Sequence, residues 1–429
     1  MCKEGDTSTR AMIVEAVGGT VVAAGALYFL SKRLLGDRTP RKRAVSFSSQ
    51  AMLSGAFPPK AEVWEPIINV IFYFKTAPSP AKLKMVGEKL MFYDRFRSVA
   101  KVLPNGTYSF EQVDSIDVEK DLTDTVHASS DSEMAEKVDK ICSSDLDCRD
   151  TKPMWRFVRI ENSNGMSGLL IRIHHSLGDG ISLIGCIGKI FETEEGLPYS
   201  IDVPERAGGG VNQNASLPTW IKGFLNVATL PNTKHDSNIC FTDQDKKNMV
   251  MGKMRRTVLF PTLKLAFLKA LKNSAGVTIN DVMLALTTGT IRRYCLQMND
   301  PLLDSSSRIP MQNRVLMPVA FPRPISDTNS SSNAMRNLWS FVSAELPLTS
   351  TSPKERLELC AKETVALKAS PMAAIQLWLQ NNIVCHMPQF MQRQLAYDVF
   401  TRHSMVFSNL PGPAEHLNFC EVIASFRMS

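Results

Sequence analysis

The sequence predicts an α/β fold in two lobes, preceded by one membrane-spanning helix. Three observations carry that expectation. Runs rich in β-branched and aromatic residues alternate with apolar residues at helical spacing in both halves of the chain. A polar stretch containing Gly208–Gly210 separates the halves. A single long apolar run lies near the amino end.

That run, Ala11–Leu30, is broken once, by Glu15. At about 1.5 Å per residue it spans roughly 30 Å of hydrocarbon. Lys32, Arg33, Arg38, Arg41, Lys42 and Arg43 follow it, whereas only Lys3 and Arg10 precede it. Positive charge stays on the cytosolic side, so residues 1–43 are expected to anchor a cytosolic body with the amino end in the lumen. A cleaved signal peptide and an interfacial helix are the competing readings.

The net charge of +7 arises from 49 basic and 42 acidic residues. Residues 1–43 alone hold eight Lys/Arg against four Asp/Glu, and the remainder is nearly neutral. No basic run with interleaved aromatics appears, so nucleic acid is not an expected partner. The nine cysteines are odd in number and none forms a C-x-x-C pair, which predicts free thiols and no metal site.

The first lobe is expected over residues 57–200. Ile67–Lys75, IINVIFYFK, reads as a strand, and Pro78–Ala100 has helical spacing with Pro80 at its start. Glu111–Asp150 is acidic and Ser-containing, which predicts a solvated helix and loops. Met154–Glu192 reads as strand, turn, strand, loop and helix, with Asn164-Gly165 as the turn. Residues 201–253 read as linker.

The second lobe is expected over residues 254–429. Helices are predicted at KLAFLKALKNSAG, at Thr278–Met298 with Asn280 or Asp281 near the cap, and at KERLELCAKETVALKAS. RVLMPVAF, NLWSFVSAELPL and the start of MVFSNLPGP read as strands.

Chemistry concentrates in HHSLGDG, His174–Gly180, between the second strand of that hairpin and the next helix. Adjacent histidines at a strand end point to opposite sides, so one faces a cleft while the other packs. An imidazole titrates near neutrality, so it accepts a hydroxyl proton and returns one to a thiolate leaving group. Asp179 is placed to hold the loop through a buried cation or backbone amides. Gly180 allows a tight turn into the helix.

HHSLGDG matches the HHxxxDG motif of the CoA-dependent acyltransferase superfamily. Its setting resembles the bifunctional wax ester synthase/diacylglycerol acyltransferase family. Pro153-Met154-Trp155 is similar to that family's Pro-Leu-Trp motif, with Met in place of Leu. NDVMLA (Asn280–Ala285) resembles its Asn-Asp helix, and SNLPGP (Ser408–Pro413) its Ser-Asn-x-Pro-Gly-Pro turn. The resemblance covers roughly residues 60–429.

It implies two chloramphenicol-acetyltransferase-like lobes with the active site between them. Acyl-CoA is then the co-substrate, with no cofactor or metal, and a long-chain alcohol or diacylglycerol is the acceptor. His175 is expected to be the catalytic base, supported by His174, Asp179 and Gly180, with direct attack on the thioester and no acyl-enzyme. Trp155, Asn280 and Asn409 are substrate-channel candidates; for Trp155 a place in the core is the alternative, and for Asn280 helix capping. The expected location is the endoplasmic reticulum membrane.

Sequence and family part at the carboxyl end. The chain stops sixteen residues after Pro413, where the family continues with further strands. This predicts a shortened second lobe with an unpaired sheet edge. A different class of protein, an inactive membrane-tethered lipid binder, is the alternative. Plant-type alcohol acyltransferases are disfavoured because no late Asp-Phe-Gly-Trp-Gly motif occurs. A peptide-synthetase condensation domain shares HHxxxDG, but no carrier segment accompanies it here.

Overall fold

The computed structural model describes residues 45–55, 65–146, 150–188, 190–192, 216–242, 263–303, 310–321, 330–410, 417–419 and 422–428. Ala11–Leu30 lies outside them. Among the described residues no helix is long and apolar enough to cross a membrane.

The first lobe is built on a central strand that buries both faces. Helix α1 (Phe47–Leu53) is followed by β1 (Ile67–Phe74) and α2 (Pro80–Leu90), which Ser79 caps with Pro80 in the first turn. Then come the hairpin β2 (Ser98–Val102) and β3 (Tyr108–Gln112), helix α3 (Val118–Leu122), β4 (Thr123–Ala128) and α4 (Asp131–Cys142). β5 (Trp155–Asn162) turns through Asn164-Gly165 into β6 (Ser167–His174), and α5 (Gly180–Gly188) follows the histidine loop.

β1, β6 and β5 pair antiparallel, with β4 parallel to β5 at one edge. Side chains alternate across this sheet. Phe72, Phe157, Leu169 and Ile171 face α2, α3 and α5, while Ile71, Val158, Ile160 and Leu170 face α4. Every residue of β6 is buried as a result, which explains why apolar residues predominate in it on both faces.

The second lobe contains α6 (Leu217–Thr229), α7 (Leu265–Ala275), α8 (Ile279–Gln297), β7 (Arg314–Ala320), β8 (Trp339–Glu345), α9 (Pro353–Ala369), α10 (Met372–Asn382), α11 (Gln389–Thr401) and β9 (Met405–Val406). β7 lies between antiparallel β8 and parallel β9. Leu284, Ile291 and Cys295 of α8 and Cys360 of α9 cover Val315 and Ala344 of this sheet. The cap of α8 is Thr278: its hydroxyl accepts from Asp281 N–H and Asp281 returns the bond to Thr278 N–H. Asn280 is not the cap.

Four expected boundaries shift. The first lobe begins before residue 57, because Ser49, Met52 and Leu53 of α1 are buried against it. Acidic residues 111–150 contain a strand, β4, whose polar outer face masks it in the sequence. The expected linker over 201–253 contains α6, and its Asp236 makes a buried ion pair with Arg314 at 2.8 Å. That pair fastens the segment to the start of β7, so it is part of the second lobe rather than a connector.

The fourth concerns the carboxyl end. β10 (Leu417–Phe419) and β11 (Val422–Met428) join the first lobe's sheet, in the order β10-β11-β1-β6-β5-β4. β11 pairs with β1 on one side and β10 on the other, so it is an interior strand rather than an exposed edge. The second lobe therefore does not run unbroken to residue 429.

Candidate active site

β6 ends at His174, and the two histidines separate as the alternation requires. His174 is fully buried, and its Nδ1 accepts a 3.2 Å hydrogen bond from Ser176 N–H and lies 2.7 Å from Ser176 Oγ. An accepting Nδ1 leaves the proton on Nε2, which holds the ring neutral in one tautomer. His174 thus shapes the loop.

His175 turns the other way, toward the second lobe. Its ring centroid lies 6.2 Å from that of Trp339 on β8. Its buried Nδ1 has no hydrogen-bond partner among the described residues. Burial pushes its pKa below the ordinary histidine value of 6.5, while the Asp179 charge and the nearby Asn337 amide pull upward less strongly. The imidazole is therefore held as the free base.

Asp179 holds the loop through backbone amides. One carboxylate oxygen accepts from Ser182 N–H at 3.0 Å, inside the first turn of α5. The other accepts from Leu338 N–H at 2.9 Å, on the segment leading into β8. Asp179 N–H in turn donates to Arg336 O at 3.0 Å. One residue therefore caps a helix of the first lobe and clamps a loop of the second.

Beside that clamp lies a polar group that sequence reasoning missed. Asn337, 2% exposed, donates through Nδ2 to His175 O at 2.7 Å and to Ser49 Oγ at 3.0 Å. Ser49 Oγ donates to Ser176 O, and Arg95 Nη1 donates to the carbonyls of Ser176 and Leu177. Three chain segments hold the loop after His175. No short motif marks Ser49, Arg95 or Asn337; only their depth in the fold reveals them.

Gly180 earns its place by space rather than by backbone conformation. The described glycines with positive φ are Gly55, Gly106 and Gly276. A Cβ on Gly180 would sit 2.7 Å from Leu410 Cδ1, well inside contact distance. Leu410 follows Asn409, whose side-chain amide donates to Asn280 Oδ1. Asn280 and Asn409 are exposed and bind each other.

Trp155 is a core residue and not a channel wall. It is fully buried, donates from Nε1 to Phe96 O at 2.8 Å, and meets Phe96 and Phe157 edge-on. Its motif still reaches the site, because Met154 O accepts from His174 N–H at 2.9 Å. Cys186 packs, with its sulfur 3.1 Å from that of Met335. The Pro-Met-Trp motif thus reaches the histidine loop through Met154 and the Ser-Asn turn reaches it through Leu410, while Asn280 is linked to it only by way of Asn409.

A family model described as the WS/DGAT C-terminal domain matches residues 335–424, which include Asn337, Asn409 and Leu410. Two Arabidopsis thaliana proteins, wax ester synthase/diacylglycerol acyltransferases 2 and 3, are each 24% identical to this chain. The matches cover 63% and 76% of this chain and 60% and 72% of those proteins. The chain is thus similar to the wax ester synthase/diacylglycerol acyltransferase family.

The solved family member from Marinobacter aquaeolei VT8 superposes with a TM-score of 0.54 at 16% identity, covering 89% of this chain and 85% of that one. The first condensation domain of the CDA synthetase gives 0.55 at 11% identity, over 91% and 85%. These likenesses establish the α/β fold of two-lobed acyltransferases and nothing finer. The match to the first wax ester synthase/diacylglycerol acyltransferase relative spans less than two thirds of its length.

Proposed function

We propose that the chain is an O-acyltransferase moving a fatty acyl group from acyl-CoA to a long-chain alcohol, diacylglycerol, or both. The observation that carries this reading is His175, a neutral imidazole at a strand end, facing the second lobe and gripped through its own carbonyl by Asn337. The ring takes the acceptor's hydroxyl proton as the oxygen attacks the thioester carbonyl. The carbon–sulfur bond then breaks, and the same proton passes to the departing thiolate. Atoms balance without a covalent enzyme intermediate, and no cysteine or serine nucleophile is needed.

The low pKa of His175 supports this role, because a base must be unprotonated at working pH. His174 and Asp179 shape the loop. We further propose that Ala11–Leu30 anchors the protein in the endoplasmic reticulum membrane with the catalytic body in the cytosol, where acyl-CoA is dissolved and lipid alcohols are embedded.

The test is acyl transfer by purified full-length chain, with labelled acyl-CoA and either hexadecanol or diacylglycerol in mixed micelles. His175→Ala should lower turnover by roughly 10²–10⁴-fold while circular dichroism stays unchanged. A variant that keeps its turnover overturns the mechanism. A wild-type chain that binds lipid without transferring acyl groups would instead be a lipid-binding homologue. Removing residues 1–43 should release protein from membranes and leave intrinsic turnover intact; a salt-resistant membrane-bound remainder would refute the single anchor.

A further inference from the structure

Away from the histidine loop, Cys240, Cys295 and Asp300 bring two thiol sulfurs and a carboxylate oxygen within 4.8 Å of one another. They come from three places: the segment preceding residue 243, the last turns of α8, and the turn that follows α8. We propose that these three residues form a zinc-binding site, with water as the fourth ligand.

The local geometry orients the donors. Asn299 adopts a left-handed conformation at φ 54°, which turns the chain back so that Asp300 N–H donates to Cys295 O at 2.9 Å. The carboxylate then accepts from Cys240 N–H at 2.6 Å through one oxygen and from Leu302 N–H at 3.0 Å through the other. Each oxygen keeps a second lone pair for a metal. These amide bonds fix the carboxylate as outer-shell partners do in metal sites.

The donor set selects the ion. Thiolate sulfur favours a borderline-soft cation, and the carboxylate makes copper(I) a poorer match than zinc. Zn–S bonds of about 2.3 Å and Zn–O bonds of about 2.0–2.2 Å imply ligand spacings of roughly 3.3–3.8 Å. The observed limit of 4.8 Å lies within about 1 Å of that range. On binding, each thiol loses its proton to solvent as the metal–sulfur bond forms. Cys295 is fully buried, so the ion would sit at the base of the second lobe and tie the 233–240 segment to α8. Cys240 stands 55 positions before Cys295, and Asp300 five after it, so no paired-cysteine spacing announces the site.

Full-length chain, purified under reducing conditions and stripped with chelator, should regain one zinc per polypeptide by elemental analysis. Cobalt(II) should give the visible and ultraviolet bands of tetrahedral thiolate ligation. Zinc should also raise the melting temperature of the stripped protein. Cys240→Ser, at a surface position, and Asp300→Asn, which keeps an accepting oxygen, should each weaken binding by roughly tenfold or more. The metal-free melting temperature of Cys240→Ser should match that of the stripped wild type. Reduced wild type that takes up no zinc, or Cys240→Ser that binds it equally well, overturns the site. So does a Cys240–Cys295 disulfide that forms under mild oxidation in a chain that takes up no zinc when reduced.

Discussion

The side-chain amide of Asn337 donates a 2.7 Å hydrogen bond to the main-chain oxygen of His175, across the boundary between the lobes. The same nitrogen also binds Ser49, so the first lobe's opening helix and its histidine loop share one donor from the second lobe. Asn337→Ala would deprive His175 O of its donor, at about 1–3 kcal/mol, while Ser49 Oγ keeps Ser46 and Arg95 as donors. If the proposed chemistry holds, kcat should fall roughly tenfold or more while KM changes little. Asn337→Asp restores the shape but not the donor, and should fail to rescue. Steady-state kinetics with melting temperatures separate this loss from unfolding.

The pH profile should expose His175. Its pKa is depressed in the folded protein, so the ring stays neutral above 6.5 and begins to protonate only below that value. Activity should therefore be flat through neutrality and fall on the acid side with a midpoint under 6.5. The sign for stability is the same: the unfolded chain binds this proton first, so stability is present above 6.5 and declines as pH falls toward the folded value. A midpoint above 6.5 in kcat/KM would contradict the buried, uncharged imidazole.

Asp179 should behave as a structural carboxylate. Asp179→Ala removes the acceptor for Ser182 N–H in the first lobe and Leu338 N–H in the second. The cost expected is about 2 kcal/mol or more. Melting temperature and activity should drop together. A variant of wild-type stability with no turnover would assign Asp179 a direct chemical part.

Gly180 and Leu410 should be energetically coupled. Gly180→Val places branched carbons where Leu410 already sits, so it should destabilise the chain by about 1–3 kcal/mol. Leu410→Ala opens that space and should recover much of the loss. A double-mutant cycle by chemical denaturation reads the interaction, and strict additivity would show that the two do not press on each other.

Much of this architecture is legible in the chain because its strongest signals are local. The central strand, the hairpin through Asn164-Gly165 and the helix after the histidines follow from apolar patterning and turn residues. That the two imidazoles point to opposite sides follows from strand alternation; which of them is the base is implied only by the motif. Residues whose meaning depends on distant partners are not legible. Trp155 looks equally fit for a core or a channel until Phe96 O meets its indole N–H. Gly180 reads as a turn residue until Leu410 arrives from 230 positions away. β4 hides because an edge strand with a solvated face needs few apolar residues, and α10 and α11 because no strong motif marks their ends.

The pairing of β11 with β1 also bears on biosynthesis. Val70 must wait for Met428, which leaves the ribosome 358 residues later. At about 5–20 residues per second, that interval is roughly 20–70 seconds. Throughout it, one side of β1 presents bare amide and carbonyl groups beside an otherwise formed sheet, an invitation to stray strands from other nascent chains. The first lobe's sheet cannot be completed before residues 422–428 have emerged, however early its other strands appear. Holding chaperones thus have a defined interval in which to act.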